Sequence, residues 1–246
     1  MADVHLIDAE KGGVGKSLVA RTLLQLFLDR ECPVIPMEAD RSNPTFSNIY
    51  GDQVLPAIFS EDREYEDAPD AVFDIALQTP VIVDLPAQAH RPLSLWLKSK
   101  GLLDLGQANG VRFLKWFVCD GGLDSIHLFL ESVNYYGDRV PHTLVKNLGR
   151  SENWSALESS KAVQSAIGTY GIKTIEFPRL SPHKLATIDA QRMTFSAARD
   201  STDLGLIGRS QIVTYLKTAY AALDQSGWTP VASLNPTPAR KGEPKS

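Results

Sequence analysis

The chain has 246 residues, 43% of them hydrophobic and 22% charged, with a formal net charge of −4. That is enough chain to bury one large core, so a single α/β domain is the starting expectation. The slight acidity gives no sign of a dominant nucleic-acid-binding surface, although a local basic patch stays open.

Cys32 and Cys119 lie on or beside apolar runs. They read as buried free thiols rather than a disulfide or metal pair. They also fall short of a four-thiolate iron–sulfur site in one chain, though two copies could share one. The N-terminus runs straight into a strand pattern with no secretory signal, and no run approaches the ~20 apolar residues of a membrane span. The reducing cytoplasm is the expected compartment, with no membrane partner.

In chain order, strands are expected near His5–Asp8, Val34–Glu38, Val81–Asp84, Phe113–Val118, His142–Val145 and Lys173–Glu176. Helical patterns fit Ser17–Arg30, Pro92–Leu97, Leu123–Asn134, Ala156–Ile167, Leu185–Gln191 and Gly208–Leu223. This alternation predicts an α/β fold: a doubly wound, mainly parallel sheet flanked by helices. Ligands of such sheets bind beyond the carboxyl ends of the strands. The acidic run from Glu61 to Asp67 reads as a solvated surface loop. Residues 1–225 are expected to form the domain. Residues 226–246, rich in Pro, Ser, Lys and Gly, read as a flexible or surface-draped tail.

Lys11-Gly12-Gly13-Val14-Gly15-Lys16-Ser17 stands between the first strand and the first helix. Glycines let the backbone turn tightly and approach an anion. Successive N–H groups then form a phosphate cradle at which the helix dipole is aimed. Lys16 can reach the β/γ-phosphates and the Ser17 hydroxyl can ligate Mg²⁺. Glu10 stands where the first glycine of G-x-x-x-x-G-K-[ST] belongs. The loop, from Gly12 to Leu18, predicts ATP/ADP and Mg²⁺ as ligands.

Val81-Ile82-Val83-Asp84 is an apolar strand ending in an aspartate. Asp84 could hold a water on Mg²⁺, or simply cap the turn that follows. Pro86–His90 would then be a switch segment sensing the γ-phosphate. Val34–Glu38 leads to Asp40, which could orient the attacking water or be an ordinary turn aspartate. Asn147 ends a late strand, where its amide could address an adenine edge or a turn. Phe177-Pro178-Arg179 could wall the base. His5 reads as a core or neighbour-paired residue, and no hydrolase elbow or zinc-protease motif exists.

These motifs resemble the deviant Walker A ATPases of the ParA/MinD class, with a layout that covers roughly residues 1–225. The resemblance implies that Lys11 reaches across a homodimer interface to the partner's nucleotide, as an arginine finger does. It also implies that Lys16 and Ser17 hold phosphate and Mg²⁺, that Asp40 sits near the attacking water, that Asp84 is the Walker B acid, and that Asn147 contacts adenine. The implied activity is a slow, partner-stimulated ATPase that dimerises with nucleotide. Glu38, Leu18, Arg41 and Ser42 depart from the family pattern, which bears on hydrolysis more than on binding.

The C-terminal sequence cannot form a MinD-like membrane helix, and nitrogenase-reductase cysteine contexts are missing. Arg192, Arg199, Arg209 and Lys217 could contribute to non-specific DNA binding. The opening strand and loop are also similar to conjugation and mobilisation ATPases of the TraL/MobD kind. An unidentified protein partner is expected. The alternatives are an ATP-dependent biosynthetic enzyme similar to dethiobiotin synthetase or cobyrinate amidase, which generally lack the signature lysine, and a non-hydrolysing nucleotide-binding adaptor.

Overall fold

The computed structural model describes residues 2–231. Its strands are β1 (Ala2–Asp8), β2 (Ile35–Glu38), β3 (Leu55–Pro56), β4 (Val81–Asp84), β5 (Val111–Cys119), β6 (His142–Asn147) and β7 (Lys173–Phe177). They form one sheet in the order β3-β2-β4-β1-β5-β6-β7, with every pairing parallel. The helices are α1 (Lys16–Asp29), α2 (Thr45–Tyr50), α3 (Asp70–Ala76), α4 (His90–Ser99), α5 (Leu102–Asn109) and α6 (Leu123–Tyr136). They continue as α7 (Ser155–Glu158), α8 (Lys161–Tyr170), α9 (Pro182–Ala190), α10 (Phe195–Asp200) and α11 (Gly205–Asp224). The doubly wound sheet expected from the alternation is present. From β1 the chain moves outward to β2 and β3, returns to β4 beside β1, and crosses to β5 on the other side. That reversal opens a crevice at the carboxyl end of β1.

Alternation along the buried strands divides the core into layers. Leu23, Leu26 and Phe27 of α1, Phe195 of α10 and Ile212 of α11 meet Ile7, Ile82 and Trp116 on one face. Phe73, Leu93 and Trp96 meet Val4, Leu6, Val83 and Phe113 on the other. On that second face, Phe129 and Val133 of α6 cover Phe117 and Leu144. Two charges are buried with them. Lys115 Nζ lies 2.7 Å from Asp8 Oδ2, both side chains being wholly buried. Lys115 also donates to Ser132 Oγ at 2.9 Å and lies over the Tyr136 ring. His5 is a core residue paired with a neighbour, since Trp116 Nε1 donates to its Nδ1 at 3.1 Å.

The sequence pattern misses α2, α3, α5 and α10, which have six to eight residues each. Two turns show too little of the 3.6-residue period to stand out. It also misses β3, a two-residue edge strand containing Pro56. The helix expected over 156–167 is two helices, because the Ser160 side chain accepts from the Val163 N–H and starts α8 afresh. The expected tail begins packed. Ser226 is buried, Trp228 sits edge-on to Trp116 at 5.5 Å, and Arg30 donates to the Pro230 carbonyl at 2.6 Å. The rest of that tail, 232–246, lies outside the described residues.

Candidate nucleotide site

β1 delivers the loop and α1 leaves it. Gly13 and Gly15 adopt φ of +78° and +103°, values that admit glycine and strain most other residues. A Cβ on Gly12 or Gly13 would meet nothing within 4 Å, whereas one on Gly15 would overlap the Asn147 amide. The cradle is therefore open at Gly12 and Gly13 and closed from behind at Gly15. Asn147, only 2% exposed, is the closing piece. Its Nδ2 donates to the Val14 carbonyl at 2.7 Å and its Oδ1 accepts from the Gly149 N–H at 3.0 Å. Asn147, read as an adenine contact or a turn residue, makes a turn contact to Gly149 and also braces the phosphate loop.

A cavity of about 400 Å³ lies over the loop, lined by Gly12, Gly13, Gly15, Lys16, Ser17, Leu18, Asp40, Pro86 and Ala87, among others. Asp84 stands at the end of β4, wholly buried, with neither carboxylate oxygen hydrogen-bonded among the described residues. Burial pushes its carboxyl up to about 7, while the Ser17 hydroxyl and the Lys16 charge beside it act the other way. A buried carboxyl without partners next to a hydroxyl and an open glycine cradle is a donor set that fits Mg²⁺ and a polyphosphate. Among the described residues no three His, Cys, Asp or Glu side chains form a metal cage. An ion here would take its remaining ligands from phosphate and water.

Asp40 also lines this cavity. Its Oδ1 accepts from the Ser42 N–H at 3.1 Å, the Ser42 hydroxyl at 2.6 Å and the Asn43 N–H at 3.1 Å. This is turn-aspartate geometry at a position facing the loop. Glu38 lies opposite Asp84 in register. Burial, with the charge of Asp84 adding to it, pushes its carboxyl up to about 7. Glu38 accepts from the Asp40 N–H at 3.1 Å and the Phe46 N–H at 2.9 Å, fastening both ends of the 40–46 segment.

Lys11 pairs with an aspartate at the carboxyl end of the sheet. Its Nζ lies 2.9 Å from Asp120 Oδ2, just beyond β5, with 42% of the lysine side chain exposed. Asp120 holds the lysine pKa above its ordinary value. Pro178 lines a separate cavity of about 580 Å³ with Arg179, Leu206 and Tyr215, beside the end of β7. The Asn147 turn adjoins this cavity, since a Cβ on Gly149 would lie 3.7 Å from the Arg179 Cα.

Two residues absent from the sequence reading also line the loop cavity, Arg21 and Arg150. Arg21 is buried, pairs with Asp189 at 2.6 Å and lies 5.2 Å from the Phe195 ring centroid. Its position four residues after Ser17, on the same helix face, is the signal that could have found it. Arg150 follows Asn147 by three residues, and its Nε would lie 3.9 Å from a Cβ on Gly15.

No family model matches the chain. It is 23% identical over 237 residues to Protein MobD of Acidithiobacillus ferrooxidans, an alignment covering 90% of this chain and 96% of that one. It is 25% identical over 248 residues to Protein TraL of Escherichia coli, covering 91% and 98%. Among solved structures, the MinD cell division protein of Aquifex aeolicus matches with a TM-score of 0.51 at 13% identity, covering 89% of this chain and 98% of that one. A candidate plasmid partition protein of Borrelia burgdorferi B31, solved bound to AMPPNP, matches with a TM-score of 0.51 at 14% identity, covering 90% and 99%. The seven-strand parallel sheet with its deviant Walker A loop is therefore the ParA/MinD-type P-loop fold, carried by a chain similar to MobD and TraL along nearly its whole length.

Proposed function

We propose that this chain is a cytoplasmic Mg-ATP-binding and ATP-hydrolysing dimerisation switch of the ParA/MinD class, acting with a protein partner in plasmid partition, mobilisation or conjugative transfer. The observation that carries the reading is one cavity in which the lysine-bearing glycine loop, Lys16, Ser17 and Asp40 converge, with the partnerless carboxyl of Asp84 beside Ser17. A bound Mg²⁺ would supply positive charge against the negative charge that develops in phosphoryl transfer. Ser17 and Asp84 are the residues suited to hold it. Gly12, Gly13, Val14, Gly15 and Leu18 shape the cradle, and Lys16 sits against the phosphates. We assign Asp40 to orienting a water and Asn147 and Pro178 to the base side of the site, Asn147 acting through the loop it braces.

Lys11 is the residue proposed to act in a second copy's site. The Lys11–Asp120 pair holds it in its own chain, so dimerisation exchanges Asp120 for the partner's phosphates. Sizing the protein with ADP and with a slowly hydrolysed ATP analogue tests this. A larger species with the analogue alone, lost in Lys11→Ala, is expected; a nucleotide-independent monomer refutes the switch. A second reading, a non-hydrolysing adaptor, draws on the three hydrogen bonds already made to Asp40 Oδ1. Retained ATP binding with no turnover, even with a partner present, favours it.

Support for DNA binding is narrower than the basic residues suggest, because Arg199 is paired with Asp29 at 2.6 Å. Arg192 and Lys217 are exposed. Repeating the sizing with duplex DNA decides whether a nucleotide-bound dimer holds DNA. Among the described residues no helix is long and apolar enough to cross a membrane.

A further inference from the structure

Glu10, which stands where the first glycine of an ordinary phosphate loop belongs, makes two contacts with the segment after β4. Its carbonyl accepts from the Gln88 N–H at 3.3 Å. Its carboxylate Oε1 accepts from the His90 N–H at 2.7 Å. His90 is the first residue of α4, and Ala89, which precedes it, offers no side-chain cap. The first N–H groups of a helix need an acceptor and favour an anion. Here that acceptor comes from the phosphate loop, 80 positions earlier in the chain. Gln88, between the two contacts, has φ of +61°, a conformation that a non-glycine residue holds only when its surroundings impose it.

We infer that Glu10 is a positioning residue that caps α4 from the phosphate loop, so that nucleotide occupancy of the loop is transmitted to the start of α4. The transmission rests on the nucleotide reading above; the cap does not. A parallel arrangement fixes the other side of the site, where Glu38 accepts from the Asp40 and Phe46 N–H groups. The segments on the two sides of the site are thus each held through their backbone by a glutamate, Glu10 or Glu38. α4 presents Arg91 and Leu95 to solvent, so a displacement of its first turn alters the exposed surface.

Hydrogen exchange of residues 86–97 tests the inference in the full chain, comparing the unmodified protein, Glu10→Ala and Glu10→Gln, each alone and with Mg-ADP. Without nucleotide, Glu10→Ala is expected to exchange roughly five- to thirtyfold faster at the first turn of α4, the loss of one helix cap. Glu10→Gln keeps an acceptor for the His90 N–H and is expected to restore most of the protection, which a general loosening of the loop would not do. Mg-ADP is expected to change exchange at 86–93 in the unmodified protein and much less in Glu10→Ala, with nucleotide still bound. Equal exchange in Glu10→Ala and the unmodified protein overturns the cap. Bound nucleotide that leaves 86–93 unaltered, or alters it equally in Glu10→Ala, overturns the transmission. Failure of the unmodified protein to bind nucleotide refutes the nucleotide reading and the transmission with it, while the nucleotide-free comparison still decides the cap.

Discussion

Gly15→Ala is the sharpest test of how the phosphate loop is held. Alanine at φ +103° is strained by about 1–3 kcal/mol, and its Cβ would overlap the Asn147 amide. Relieving the overlap displaces Asn147 from the Val14 carbonyl, at a cost of about 1 kcal/mol for that hydrogen bond. The expected destabilisation is about 2–4 kcal/mol, a substantial part of the ~5–15 kcal/mol typical of a domain. Urea unfolding measures it, and a fluorescent ATP analogue reports whether the loop still binds. The decisive comparison is the cycle with Asn147→Ala. Removing the amide removes the overlap, so the double variant should be less destabilised than the sum of the singles by about 0.5–3 kcal/mol. Additive effects, or a Gly15→Ala penalty under 0.5 kcal/mol, would refute the claim that Asn147 packs against the loop.

Lys115→Met should destabilise the protein by about 3–5 kcal/mol in urea unfolding, because it leaves Asp8 buried and uncompensated; a loss under 1 kcal/mol would contradict the buried pair. His5 and His142 are pushed down by burial to about 4 and about 3, below the ~6.5 of an unfolded chain. The unfolded state therefore takes up protons that the folded state refuses as pH falls below 6.5. Each histidine should remove about 1.4 kcal/mol of stability per pH unit until its folded pKa is reached. His142→Asn should lose one of these slopes in unfolding curves at pH 5–7, and an unchanged slope would refute its burial in neutral form. Asp120→Asn frees Lys11 from its partner on the same chain and should tighten analogue-driven dimerisation a few-fold in analytical ultracentrifugation; weaker dimerisation would mean that Asp120 supports the interface instead.

The phosphate loop is legible because its working groups are consecutive. Gly12 to Ser17 set the glycine turn, the lysine and the hydroxyl proposed for phosphate and metal within six positions, between a strand and a helix whose apolar patterns are unambiguous. Asp84 is legible because a buried strand announces where its last residue will emerge. What the sequence hides is every partner brought in by the sheet. Asn147 reaches Val14 across 133 positions, Arg21 reaches Asp189 across 168, and Lys11 reaches Asp120 across 109. Each pairing depends on β5, β6 and α9 folding back over the end of β1, which no local period encodes. The short helices were hidden for a different reason. Thr45–Tyr50 and Phe195–Asp200 are held by tertiary packing of Phe46 and Phe195, not by a repeat long enough to read.

On the proposed function, the arrangement around Asp40 predicts slow hydrolysis in the isolated chain. Three hydrogen bonds converge on Asp40 Oδ1, and two more hold the same segment to Glu38. At about 1 kcal/mol each, turning Asp40 toward a water while shifting the 40–46 segment would give up about 3–5 kcal/mol. Moving such an equilibrium from 1:99 to 99:1 takes about 5.5 kcal/mol of differential binding. Nucleotide in the cavity, which Asp40, Ser42, Asn43 and Thr45 also line, has some handles on this segment. A second copy or a protein partner seated over the cavity has more, and can supply the difference through contacts made only with the rearranged form. The departures at Glu38 and Ser42 thus point to a resting state held in place by these bonds, with activation left to whatever docks on it.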